Sequence, residues 1–88
     1  MVKVEWTEAA VRDVEKLDKQ VARRIIRKLN WLSKHFSMIT PEPLSGEFKG
    51  VYKLRVGDWR VIYTIENDAM IIQSIGHRRE IYKADIQR

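Results

Sequence analysis

The sequence predicts an α+β domain: an N-terminal strand, an α-hairpin, then a three-stranded antiparallel meander and a short C-terminal tail, with the helices packed on one face of the sheet. Three observations carry this prediction. Apolar residues recur at helical spacing only between about residues 8 and 35. Three β-rich runs follow, at 51–56, 59–65 and 70–75, separated by the turn pairs Gly57-Asp58 and Asn67-Asp68. A chain of 88 residues has room for one hydrophobic core, so residues 1–88 are read as a single domain.

At the N-terminus, Val2, Val4 and Trp6 alternate with Lys3 and Glu5, the pattern of a short strand with one buried face. Thr7 suits a helix N-cap, and Glu8 complements the helix dipole in the first turn. Val11, Val14 and Leu17 carry the first helix. Asp18 opens a second from about Lys19 to His35, whose apolar stripe is Val21, Ile25, Leu29 and Leu32, broadened by Ala22, Ile26 and Phe36. Its other side carries Arg23, Arg24, Arg27, Lys28 and Lys34, and His35 fits the C-terminal end. Between Ser37 and Gly50 the prolines 41 and 43, with Ser45, Gly46 and Gly50, describe a loop. The last strand is Met70 to Ile75, and Gly76 marks where the backbone leaves it.

A two-residue turn at Gly57-Asp58 fixes the hairpin register. Val56 faces Trp59, Arg55 faces Arg60, Leu54 faces Val61 and Lys53 faces Ile62. Alternation then puts Tyr52, Leu54, Val56, Trp59, Val61, Tyr63 and Ile65 on the core side, and Lys53, Arg55, Arg60, Ile62 and Thr64 on the other. Tyr52, Tyr63, Trp59, Trp31 and Trp6 are read as core aromatics. Two arginines directly opposite each other repel, which points either to a functional site or to a neutralising acid, Glu66 or Glu80.

Lysine and arginine number 17 against 12 acidic residues, a net charge of +5. With a pI near 9.7, this balance favours a nucleic acid or an acidic protein as partner. Cysteine is absent, which excludes disulfides and thiolate metal sites, and no metal or cofactor is expected. No apolar run approaches the roughly 20 residues that span a bilayer, and the N-terminus lacks a signal-peptide core. A cytoplasmic protein without membrane contact is therefore expected.

Candidate chemistry collects after the last strand, in Gly76-His77-Arg78-Arg79-Glu80-Ile81-Tyr82-Lys83. Arg78 and Tyr82 are four residues apart and so share a side of the chain. If the tail folds over the free sheet face, Lys53, Arg55, Arg60, Arg78 and Tyr82 converge. Guanidinium groups stabilise charge growing on phosphoryl oxygens without having to titrate. His77 is a second candidate, either as a proton shuttle or as a hydrogen-bonding residue that shapes the bend.

Pro43-Leu44-Ser45-Gly46, the run from Gly50 to Tyr63, and Ile75-Gly76-His77-Arg78-Arg79-Glu80-Ile81-Tyr82 together resemble the RelE/ParE toxin superfamily, in its RelE branch. The resemblance implies the toxin of a toxin–antitoxin pair, binding a cognate antitoxin in an oligomeric complex. It also implies an enzyme that enters the ribosomal A site and cuts messenger RNA without metal, through attack of the 2′-hydroxyl on the phosphate. By position, it makes Lys53, Arg55, Arg60, Arg78 and Tyr82 catalytic, with His77 secondary. Arg23, Arg24, Arg27, Lys28, Arg79 and Lys83 become contacts to RNA or the ribosome. Some members carry lysine where this chain has Arg55. Arginine keeps its proton, so the general base is left among Lys53, Tyr82 and His77. A gyrase-inhibiting toxin of the ParE type and a catalytically weak nucleic-acid-binding homologue are the alternatives.

Overall fold

The computed structural model describes residues 2–45 and 49–80. Within them run β1 (Lys3–Trp6), α1 (Glu8–Glu15), α2 (Lys19–Lys34), a short 3₁₀ turn (Phe36–Met38), β2 (Glu42–Pro43), β3 (Val51–Val56), β4 (Trp59–Glu66) and β5 (Ala69–His77). The expected meander is β3–β4–β5, and two further strands extend it into a five-stranded sheet of order β1-β5-β4-β3-β2. β1 lies parallel to β5, and every other pairing is antiparallel.

Both helices start where the sequence places caps. The Thr7 hydroxyl accepts the Ala10 N–H at 3.1 Å, and the Asp18 carboxylate accepts that of Gln20 at 3.0 Å. α2 ends one residue before the expected limit, with His35 as its C-cap. Its stripe of Ile25, Leu29 and Leu32 is buried against Val56, Val61 and Tyr63 from the hairpin and Met70, Ile72 and Ile75 from β5. Tyr52, Leu54, Trp59 and Ile65 pack at the margin of this core, as the register predicts.

Three expectations need correction. The segment 37–50 is not wholly loop: Glu42 and Pro43 pair with Lys53 and Tyr52. A two-residue strand shows no alternation, and proline is tolerated because only one side of an edge strand is paired. Gly76 does not end β5, which continues to His77 with Gly76 opposite Arg60. Trp31 is not a core aromatic: it is 45% exposed, on the flank of α2 beside the stripe.

β5 also contains an irregularity with consequences for the site. Ile62 faces Ser74 but Tyr63 faces Ile72, so Gln73 is an extra residue in β5. Met70 and Ile72 face the core on one side of this bulge, and Ile75 does so on the other. The bulge thus reverses the parity of everything after Gln73. α1 braces it. The Thr7 hydroxyl bonds the carbonyls of Ile72 and Gln73 at 3.1 and 3.2 Å, and the Asp13 carboxylate accepts the Ile75 N–H at 2.9 Å.

Candidate functional site

Beyond the bulge, β5 carries Ser74 and Gly76 on the sheet face away from the helices, beside Ile62 and Arg60. His77 falls on the other face, paired with Trp59, and their rings meet edge to face at 5.6 Å and 83°. Its Nδ1 accepts the Arg79 backbone N–H at 3.3 Å, a contact that shapes the bend after the strand. His77 therefore lies on the opposite sheet face from Arg60.

Arg60 and Arg78 are both anchored at the Gly57-Asp58 turn. Arg60 Nη1 donates to the carbonyls of Gly57 and Trp59 at 2.8 and 2.9 Å. The Arg78 N–H donates to the Asp58 carbonyl at 2.8 Å, and its Nε lies 3.7 Å from the Asp58 carboxylate. Gly57 takes φ +61° and Asp58 does not adopt a positive φ, the pattern of a hairpin turn with glycine in the first central position. One tight turn thus positions both guanidinium groups.

Lys53 and Arg55 form a second cluster, at the β2–β3 edge. Glu42 Oε2 lies 2.8 Å from Arg55 Nη2 and 3.4 Å from Lys53 Nζ. Among the described residues, neither Glu66 nor Glu80 pairs with the facing arginines: Glu42 takes Arg55, and carbonyl oxygens take Arg60. Sequence reasoning missed Glu42 because the loop reading gave it no strand partner. Its signal was the placement between Pro41 and Pro43, within reach of a basic strand.

Behind this edge, a cleft of about 470 Å³ opens between α2 and the end of β3. Arg24, Arg27, Lys28 and Trp31 line one wall, and Arg55, Val56 and Gly57 the other. Arg23 is exposed on α2 but does not line the cleft, and Arg79 is exposed in the turn after β5. Tyr82 and Lys83 lie outside the described residues. Among the described residues, no group of three or more His, Asp or Glu is arranged to hold a metal ion. Among them, too, no helix is long and apolar enough to cross a membrane.

The helical hairpin thus covers one face of a mixed sheet, and Lys53, Arg55 and Arg60 lie on the other. The profile of the ParE toxin of type II toxin–antitoxin systems matches residues 4–82. The toxin–antitoxin complex RelBE2 from Mycobacterium tuberculosis contains a chain 26% identical, with a TM-score of 0.74 over 88% of this chain and 98% of that one. Isolated RelE toxin from E. coli superposes with a TM-score of 0.73 at 18% identity, covering 100% of this chain and 98% of that one. The chromosomal ParDE system of P. aeruginosa gives 0.71 at 15% identity, over 88% and 96%. A search of curated proteins found no significant match. The chain belongs to the RelE/ParE superfamily of type II toxin–antitoxin toxins, and it is RelE-like in structure.

Proposed function

We propose that this toxin is an endoribonuclease that cleaves messenger RNA in the ribosomal A site. The observation that carries the reading is the anchoring of both Arg60 and Arg78 at the Gly57-Asp58 turn, with Lys53 and Arg55 farther along the same hairpin. Fixed cations on a rigid strand pair suit a phosphate whose charge rises in the transition state.

In the proposed reaction a ribose 2′-hydroxyl loses its proton as its oxygen bonds to the adjacent phosphorus. The phosphorus–O5′ bond breaks, and a proton goes to the departing O5′. The products are a 2′,3′-cyclic phosphate and a free 5′-hydroxyl. Arg60 and Arg78 hold the phosphoryl oxygens, and Arg55 and Lys53 steady the flanking backbone. The Glu42 carboxylate, 3.4 Å from Lys53 Nζ and 2.8 Å from Arg55 Nη2, is the acceptor for the 2′-hydroxyl proton in this reading. Tyr82 stacks on a base in this reading, and Arg23 and Arg79 meet ribosomal RNA phosphates.

The test adds the protein to a translating extract and maps messenger 5′ ends by primer extension. Cuts in register with codons, lost with Arg60→Ala or Arg78→Ala, are the expected result. Intact messenger together with inhibited DNA supercoiling in a gyrase assay would instead establish the ParE-type activity.

A further inference from the structure

β1 accompanies β5 only as far as Trp6, opposite Ile72, so among the described residues no strand borders the outer edge of β5 beyond the bulge. Side chains of α1 and its cap take the place of one. The Thr7 hydroxyl shares its proton between the carbonyls of Ile72 and Gln73, and the Thr7 N–H donates to the Ile72 carbonyl as well. The half-buried Asp13 carboxylate accepts the Ile75 N–H at 2.9 Å and makes no ion pair among the described residues.

The Asp13 contact sets the direction of the amides that follow it. Along an antiparallel strand, successive N–H groups point to alternate edges. With the Ile75 N–H held outward toward α1, those of Gly76 and Arg78 turn inward toward β4. Gly76 accordingly stands opposite Arg60, and the Arg78 N–H donates to the Asp58 carbonyl at 2.8 Å. A slip of one residue would exchange the two sets. It would carry the buried Ile75 to the face of Arg60 and take the Arg78 amide off the turn.

We infer that Asp13 is a positioning residue for messenger cleavage: by holding the Ile75 amide outward, its carboxylate keeps Arg78 anchored at the same turn as Arg60. Asp13 acts only through β5, and the inference rests on the endoribonuclease reading of the site. Displacing a positioned group by about 1 Å can cost on the order of a hundredfold in rate, so a loosened register is read in the chemical step.

The test is single-turnover cleavage on programmed ribosomes, over a range of toxin concentrations and well below the Tm of every variant. Asp13→Ala is expected to lower the saturated rate at least about tenfold while the half-saturating concentration stays within about twofold. Hydrogen exchange at its Arg78 amide should quicken at least about tenfold. Asp13→Asn, whose carboxamide oxygen can accept the same N–H, should recover most of the rate. Thr7→Val removes the hydroxyl brace on the other side of the bulge and should also slow the saturated rate. Ile25→Val weakens the core but keeps both braces, and it should cleave at the wild-type rate. A wild-type rate in Asp13→Ala, or in Thr7→Val where Asp13→Ala does not fold, would overturn the inference and leave the cleavage reading intact. So would Asp13→Asn no faster than Asp13→Ala, or an equal loss in Ile25→Val. A wild-type protein that leaves every messenger whole would overturn the cleavage reading and this inference together.

Discussion

Arg55 and Arg60 stand directly opposite each other across β3 and β4, yet each has its own acceptor. Arg55 Nη2 reaches Glu42 at 2.8 Å, whereas Arg60 Nη1 folds back on the carbonyls of Gly57 and Trp59 at 2.8 and 2.9 Å. The repulsion expected of a facing pair is relieved by sending one guanidinium to the sheet edge and the other to the turn. Both stand at strand positions on the face away from the helices.

Glu42 is the residue whose two roles can be separated. Glu42→Gln removes two ion pairs that share a half-exposed carboxylate, one to the exposed Arg55 and one to Lys53, whose side chain is 17% exposed, so unfolding free energy should fall by only about 1 kcal/mol. As a proton acceptor, however, Glu42 should be worth about a hundred- to ten-thousand-fold in cleavage rate. Single-turnover cleavage on programmed ribosomes, run beside chemical denaturation, reads both quantities. An unchanged rate would remove Glu42 from the chemistry.

Asp13 braces the bulge that decides which residue of β5 joins Arg60. Asp13→Ala leaves the Ile75 N–H, on a residue only 5% exposed, without its acceptor at 2.9 Å. The expected cost is about 1–3 kcal/mol, a drop in Tm of about 4–8 °C for each kcal/mol. Asp13→Asn keeps an acceptor oxygen and should lose less. Equal Tm values for wild type and Asp13→Ala in calorimetry would show that the bulge holds itself.

Gly57 and Gly50 form a matched pair for testing the turn. Both take positive φ, +61° and +79°, so alanine strains either backbone by about 1–2 kcal/mol. A Cβ at Gly50 meets nothing within 4 Å, whereas one at Gly57 comes within 3.3 Å of Arg24 Nη2. Gly57→Ala should therefore cost no less than Gly50→Ala and should also displace Arg24. Denaturation midpoints give the first comparison, and the Arg24 side-chain NMR signals give the second. A larger loss from Gly50→Ala would show that the crowding at Arg24 carries no cost.

Much of this arrangement is legible in the sequence because local chemistry dictates it. Thr7 and Asp18 cap where hydroxyl and carboxylate caps are expected. The Gly57-Asp58 turn alone sets the pairing of Lys53, Arg55 and Arg60. What escaped depends on partners distant in the chain. The bulge at Gln73 is held by Thr7 and Asp13, more than sixty residues away in sequence, and no period-two pattern reveals an inserted residue. Glu42 joins the site only through pairing with β3, and Trp31 lies outward because the buried stripe of α2 is narrower than its apolar residues suggest.

Tyr63 links the core to alkaline stability. Only 1% exposed, it has its phenol pKa raised to about 12, chiefly by burial, with Tyr52 and Glu42 adding negative potential. In the unfolded chain the phenol titrates near 10. Because the folded value is the higher one, the stabilisation is fully present below pH 10. It is lost as the unfolded phenol ionises and the folded one does not, over the window from about 10 to 12. Allowing for solvent screening, the loss attributable to this residue is on the order of 1–2 kcal/mol. Tyr63→Phe removes the group from the titration while keeping the ring. Denaturation curves between pH 9 and about 12 should therefore decline less steeply for the variant than for the wild type. Parallel curves would show that ionisation of Tyr63 does not drive alkaline unfolding. A steeper decline in the variant would mean that the Tyr63 phenol is more acidic in the folded chain than in the unfolded one.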